Sequence, residues 1–264
     1  MATATAPRQA VILAAGLGSR LRPMTDTQAK PMVEVHGMPI IHNALHHLAA
    51  VGVEQATIVV GYRKETIKQS CGRNFAGIEI TYAESSVFDR TGSAYSLWLA
   101  RDTLLRADTF LIEGDVFFER AALDRLMSRR AENVAAVAPF DETMEGSAVL
   151  LSDTGDIVEV RTRQTADDLR RNTGPTLFKT MNLLRLAAGT LRDIVVPALD
   201  ELVNDAETNV YTEQLLGRLI RDRGFKLGAA RCDELRWYEI DSVADLQIAE
   251  RIFAPASAAR AAVL

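Results

Sequence analysis

The strongest constraint on this chain is a short apolar run near its start that breaks on glycines. Gln9 to Ala15 is apolar at almost every position, so a strand there is buried on both faces. The run ends in Gly16-Leu-Gly18. Helical spacing follows over Ile40 to Ala50, with Leu45 and Leu48 on one face, and then a β-branched run over Gln55 to Val60. Met32 to Val35, Ile78 to Ala83 and Thr109 to Ile112 read as further strands. Lys64 to Ser70, Ala94 to Arg101 and Ala121 to Arg130 read as helices. Strands that alternate with helices predict an α/β fold, a Rossmann-like, mostly parallel sheet flanked by helices on both faces.

After Val134 to Pro139 the pattern changes. Ala148 to Leu151, Ile157 to Arg161 and Thr176 to Leu184 predict a small mixed-sheet elaboration, with Asp153-Thr-Gly-Asp156 as a hairpin turn. Helices at Leu191 to Val203 and Tyr211 to Arg223, a strand at Lys226 to Ala230 and a helix at Val243 to Phe253 complete the expectation. No repeat or long linker divides the chain, so residues 1–253 are expected to form one domain. The alanine-rich stretch 254–264 is expected to be a frayed tail.

The 264 residues are 48% hydrophobic and 25% charged, which excludes a disordered, collagen-like or disulfide-scaffold chain. Thirty Lys and Arg against 35 Asp and Glu give a net charge of −5, so no global basic field attracts nucleic acid. An anionic ligand must be held by local groups. Cys71 and Cys232 suit small buried hydrophobes in a reducing compartment. No apolar run is long enough for a spanning helix or a signal h-region, which makes the cytoplasm the default and no membrane partner the expectation.

The chemistry begins in the first turn. Gly16 and Gly18 let backbone amides approach a phosphate chain, Arg20 offers a planar fork of donors, and Lys30 adds a point charge. A dinucleotide fingerprint would want a small residue where Leu21 stands, and a P-loop would want the missing Gly-Lys-Ser/Thr. On generic motif rules a purely structural turn stays open.

The string Gly16-Leu-Gly-Ser-Arg-Leu-Arg-Pro23 with Lys30-Pro31 resembles the signature of nucleotidyltransferases that join a nucleoside triphosphate to a phosphorylated acceptor. Val60-Gly-Tyr62, Tyr95-Ser-Leu97, Phe178-Lys-Thr-Met-Asn182 and Trp237-Tyr-Glu-Ile-Asp-Ser242 are similar to the phosphocholine and phosphonate cytidylyltransferase branch. The segment before Tyr95, Arg90-Thr-Gly-Ser-Ala94, departs from the paired asparagines of the choline enzymes. The resemblance implies a nucleotidyltransferase fold over 1–253, with Leu13, Ala14, Ala15, Gly16, Gly18, Ser19, Arg20 and Lys30 around the triphosphate. It also implies catalytic roles for Arg20, Lys30, Asp115 and Asp241, the two aspartates binding Mg2+.

Residue reasoning agrees in part. Charge develops on phosphoryl oxygens, so magnesium on carboxylates is the expected device. Asp115 follows a predicted strand at the carboxyl edge where ligands gather in open α/β sheets. Asp241 ends a short apolar segment, although it also suits the cap of the helix near Val243. Glu113-Gly-Asp115 is not the Asp-x-Asp of a glycosyltransferase.

On the acceptor side, Lys179 stands in an otherwise apolar strand, where it either clamps a phosphonate or faces water at an edge. Asn182 and Glu213 are candidate acceptor contacts. Arg161 and Arg163 share a strand face, toward the pocket or toward solvent. Glu84 and Ser85 are placed to accept from a cytosine amino group, and Gly92 and Ser93 to approach the ring. His42 and His46 have the spacing of a metal pair, but a plain helix face is the simpler reading.

The function these features imply is a Mg2+-dependent cytidylyltransferase. CTP and a small phosphonate or phosphomonoester, such as a phosphonoformate- or 2-aminoethylphosphonate-like acceptor or phosphocholine, are its expected partners. A sugar-1-phosphate nucleotidyltransferase and a noncatalytic nucleotide sensor on the same fold are the alternatives. Oligomeric state stays open, a homodimer included.

Overall fold

The computed structural model describes residues 6–255. Its centre is a ten-stranded sheet. In spatial order run Ile157–Gln164, Gly146–Leu151, Phe178–Leu186, Thr109–Glu113, Gln9–Ala14, Gln55–Val60, Ile78–Glu84 and Asn74–Phe75. Val134–Pro139 joins antiparallel to Phe178–Leu186, and Gly228–Arg231 joins parallel to Val134–Pro139. Gln9–Ala14 lies between two parallel neighbours, Gln55–Val60 and Thr109–Glu113, and is buried along its length. Its alternate residues enter two cores. Ala10, Ile12 and Ala14 pack with Ile41, Leu45 and Leu48 of the Ile40–Ala50 helix, and Val11 and Leu13 pack with Leu97, Leu104 and Leu199 on the other face. Full burial of each such large side chain is worth about 1.5–3 kcal/mol. The expected mixed, mostly parallel sheet flanked by helices is the observed one.

The strand Phe178–Leu186 joins the two halves of the sheet. Lys179 pairs with Ala148 in the elaboration, whereas Leu183 and Leu184 pair with Ile112 and Leu111 of the parallel part. All nine residues are buried. Asn182, at φ 55°, lies where the register with Val134–Pro139 shifts, a bulge that re-aims the strand between its partners.

Several boundaries differ from expectation. Met32 to Val35 is not one strand: Lys30–Met32 form a 3-10 turn, and only Glu34–Val35 pairs, with Met38–Pro39. Pro31 occupies an opening position of that turn, where its preset φ fits and no N–H is required. The helix expected over Ala94 to Arg101 runs Ser93–Leu99, followed by a separate turn, Arg101–Leu104. The strand expected from Lys226 begins at Gly228. Several elements escaped periodicity. Ala166–Arg171 is a short helix closed by a Thr165/Asp168 capping box. Val116–Phe118 and Trp237–Glu239 form an antiparallel ribbon away from the main sheet. The Asp153 to Asp156 turn is present, with the Ser152 amide donating to the Asp156 carbonyl at 2.8 Å. Both cysteines are buried thiols. Among the described residues no helix is long and apolar enough to cross a membrane. From residue 256 the expected tail lies outside the described residues.

Candidate active site

The parallel strands end together, and their last residues set the floor of the site. The Gly114 amide donates to the Leu13 carbonyl at 2.8 Å, the Tyr62 amide to the Ala15 carbonyl at 3.0 Å, and the Ser85 amide to the Val60 carbonyl at 2.8 Å. Leu13, Ala14 and Ala15 are buried, so they serve the loop through backbone position, while Gly16, Ser19 and Arg20 are exposed around its rim. Gly18 has φ 61°, and a Cβ there would lie 2.8 Å from the Cβ of Lys30. The loop therefore folds directly over the lysine that sequence placed beside it. Thr25 fastens the turn by donating its hydroxyl to the Gly18 carbonyl at 2.8 Å, and Tyr62 donates its own to the Thr25 carbonyl at 3.0 Å.

The turn after Thr109–Glu113 passes equally close. A Cβ on Gly114 would meet the Leu13 oxygen at 2.8 Å and Pro31 Cγ at 3.1 Å. Gly114→Ala should therefore cost about 1–3 kcal/mol through overpacking. Equilibrium unfolding in urea measures it, and a midpoint unchanged from wild type contradicts the close approach.

Asp241 reaches Asp115 through the ribbon of Val116–Phe118 and Trp237–Glu239. Glu239 pairs with Val116, and the Ile240 amide donates to the Asp115 carbonyl at 2.8 Å. Between the two carboxylates sits Lys30. Its Nζ donates to Asp115 Oδ2 at 2.9 Å and also to Asp241 Oδ1. Arg20 approaches the other oxygen of Asp241 at 2.9 Å. Burial disfavours the ammonium of Lys30, but Asp115 and Asp241 outweigh it and raise its pKa. Burial likewise opposes ionisation of Asp241, yet Lys30 and Arg20 hold its carboxyl below the usual range. Four residues far apart in sequence, all singled out from it, thus form one cluster.

A second polar group lies behind the first. Lys179 is 2% exposed, which removes the edge-strand reading. Its Nζ donates to Glu239 Oε2 at 2.5 Å, and Asn182 Nδ2 donates to Glu239 Oε1 at 2.9 Å. Burial pushes the Glu239 carboxyl up to about 7 even though Lys179 pulls it down. Glu213 accepts from the Ser147 hydroxyl at 3.2 Å. Burial also raises the pKa of Glu113, where Glu213, Asp115 and Glu239 add repulsion. Glu239, Glu113 and Ser147 are the members that sequence reasoning missed. A signal was available: Glu113-Gly-Asp115 and Glu239-Ile-Asp241 are both Glu-x-Asp, which in extended chain puts the two carboxyls on one side. Lys179, Glu239 and Asp241, with Arg20, Tyr238 and Glu145, line an open cleft of about 360 Å³.

Other expected contacts are placed differently. Both oxygens of Glu84 are taken by Lys64 and Lys68 on the neighbouring helix, so its carboxylate is already engaged. The adjacent Ser85 hydroxyl is buried without a hydrogen-bond partner among the described residues. The Ser93 hydroxyl accepts from the Thr212 amide at 2.8 Å, and the Gly92 amide donates to the Thr208 carbonyl at 2.8 Å. Both residues hold the loop to the start of the Thr212–Arg223 helix. Arg161 engages Glu159 at 2.8 Å, and Arg163, at φ 57°, interrupts the alternation on which a shared face rested. His42 and His46 pack against the Phe75 ring.

The residues present fit a divalent, oxygen-seeking cation. Asp115 Oδ1 is buried with no hydrogen-bond partner, beside a second carboxylate. No group of three His, Cys, Asp or Glu gathers among the described residues to hold an ion unaided. That donor set suits Mg2+, which is commonly held by one or two carboxylates and completed by substrate phosphates and water.

Comparison with known proteins agrees with this geometry. The Nucleotidyl transferase family profile matches residues 9–145. A CMP-5'-(3-aminopropyl)phosphonate synthase of Streptomyces rubellomurinus is 36% identical over 254 residues, covering 94% of this chain and 39% of that protein. A UTP–glucose-1-phosphate uridylyltransferase of Haloferax volcanii is 37% identical over 158 residues, 58% of this chain and 63% of the relative. The chain thus matches less than two thirds of the length of either relative. In structure, the CTP:phosphocholine cytidylyltransferase of Streptococcus pneumoniae superposes with a TM-score of 0.76 at 21% identity, covering 93% of this chain and 99% of that one, a likeness of fold. With a glycine loop closed over a lysine that two strand-end aspartates share, and a family profile spanning those elements through Asp115, the chain belongs to the nucleotidyl transferase family.

Proposed function

We propose that this protein transfers CMP from CTP to a small phosphonate or phosphomonoester and releases pyrophosphate. The observation that carries the reading is the cluster of Arg20, Lys30, Asp115 and Asp241 beside the carboxyl ends of the parallel strands, of which Arg20 and Asp241 line the same cleft as Lys179. The Gly16–Gly18 loop would take the triphosphate, with Arg20 and Lys30 neutralising charge on the phosphoryl oxygens. The acceptor is anionic near neutral pH and needs no general base. One of its oxygens forms a bond to the α-phosphorus, the bond from that phosphorus to the bridging oxygen breaks, and pyrophosphate leaves with the electron pair. Asp115 and Asp241 would hold Mg2+, which supplies Lewis-acid stabilisation of the developing charge. Positioning does most of the rest.

The S. rubellomurinus relative, a CMP-5'-(3-aminopropyl)phosphonate synthase, supports cytidine and a phosphonate acceptor. The cleft adds a reason of its own. Lys179 lines it to meet an anion, and Glu145 at its side suits an acceptor that also carries an ammonium group. A sugar-1-phosphate acceptor is the second reading, favoured by the H. volcanii relative.

Pyrophosphate release decides between them. CTP, UTP, GTP and ATP are each paired with 2-aminoethylphosphonate, phosphonoformate, phosphocholine and glucose 1-phosphate. Release confined to CTP with one of the first three is the expected result. Release with UTP and glucose 1-phosphate selects the second reading. Tight CTP binding without turnover on any acceptor would make the protein a nucleotide sensor.

A further inference from the structure

We propose that Lys30 is the resident cation of this site, its ammonium standing between Asp115 and Asp241 where a divalent ion enters, so that lysine and ion exchange places. The inference rests on reading the two aspartates as the metal-binding pair.

Three observations carry it. First, one Nζ serves both carboxylates: it lies 2.9 Å from Asp115 Oδ2 and also donates to Asp241 Oδ1. Among the described residues the other cation on these carboxylates is Arg20, which stands on the far oxygen of Asp241 and is 62% exposed, against 12% for Lys30. Lys30 is the one that bridges the pair. Second, an ion taking the oxygens that Lys30 now engages would be repelled by its ammonium, and the side chains of Lys30, Asp115 and Asp241 are largely shielded from water that would screen that repulsion. Third, Asp115 Oδ1 is buried and has no donor, so the lysine leaves part of the coordinating capacity unused.

The lysine also has somewhere to go. Gly18 packs over the start of its side chain, so the stem already runs beneath the loop proposed to take the triphosphate. A displaced ammonium then faces the phosphate chain. Metal binding would in this way deliver the positive charge to the reacting phosphate, and the metal-free protein would keep its two aspartates neutralised.

Direct ion binding tests the exchange without turnover. Mn2+ titration of the full chain without nucleotide, with free ion read by electron paramagnetic resonance, is made on wild type, Lys30→Met and Arg20→Met. Both variants remove one positive charge near Asp241, but only the first removes an occupant. Lys30→Met should bind Mn2+ at least tenfold more tightly than wild type, and Arg20→Met no more than about threefold. Equal effects of the two variants, or unchanged or weaker binding by Lys30→Met, overturn the proposal. If Lys30→Met does not fold, the wild type decides by acetic anhydride labelling read by peptide mass spectrometry. Lys30 should be protected without metal and labelled when Mg2+ is added, and equal protection in both states refutes the exchange. Asp115→Asn keeps the two questions apart. Loss of its Mn2+ binding upholds the metal pair whatever Lys30 does, and undiminished Mn2+ binding removes the premise.

Discussion

Asp115→Asn is expected to lower turnover on the order of a thousandfold with the fold intact. The side chain keeps its shape, and an amide oxygen can still accept from Lys30 Nζ, now 2.9 Å from Asp115 Oδ2. What the proposed metal site would lose is a charged oxygen ligand, and Lewis-acid stabilisation of phosphoryl transfer is worth several kcal/mol. The partnerless Oδ1 should then carry an NH2 group, which coordinates no cation. Single-turnover rates at saturating CTP and Mg2+ measure the loss, and thermal unfolding checks the fold. Turnover within about threefold of wild type with unchanged Mg2+ dependence would refute the assignment.

The second large effect is expected at Lys179. A charged contact to a dianionic acceptor is worth roughly 1.5–3 kcal/mol, so Lys179→Met should raise the acceptor KM about ten- to a hundredfold and leave CTP affinity nearly unchanged. Methionine keeps most of the stem volume, which separates charge from packing. Stability should fall as well, because Glu239 would remain buried without its cation, and breaking a buried pair costs about 3–5 kcal/mol. This loss has a pH sign. Burial already raises the Glu239 carboxyl to about 7, and without Lys179 it rises further. A carboxyl whose folded pKa exceeds its unfolded value stabilises the fold below the unfolded pKa, and that contribution is lost as pH rises through the folded one. Relative to wild type, Lys179→Met should therefore melt lower at pH 8 than at pH 6. An equal deficit at both values, or equal losses for CTP and acceptor, would remove Lys179 from its place beside Glu239 and the acceptor.

How much of this was readable beforehand depended on the range of the interaction. The glycine turn and Asp115 were legible because a strand's periodicity and its abrupt end locate them within a few residues, and Lys30 came with the glycine signature. Asp241 needed the family signature, since only pairing of Trp237–Glu239 with Val116–Phe118 brings it to Asp115. For Glu239 only the Glu-x-Asp spacing gave a hint, because its neighbour Lys179 is 60 residues away in the chain. Glu84 shows the opposite failure. Its position at a strand end was read correctly, but Lys64 and Lys68 had claimed its charge from a helix that sequence could outline without aiming. Ser93 likewise was located at the right loop and then found holding Thr212.

The long strand Phe178–Leu186 acts as a ruler between the two halves of the proposed reaction. Lys179 rides on its first part, which is laddered to Gly146–Leu151, and its second part is laddered to Thr109–Glu113, the strand that leads to Asp115. Sliding one half past the other would break backbone hydrogen bonds inside a buried strand. The spacing from acceptor to α-phosphorus would then be set by covalent geometry, with no need for two lobes to close on each other. Such a fixed span is one way a protein reaches a high effective molarity for two small anions that repel each other in water. Acceptors of different length would be sorted by the distance from their phosphorus to the wall of the cleft, and lengthening an acceptor by one methylene should change where its far end sits while leaving its phosphorus in place.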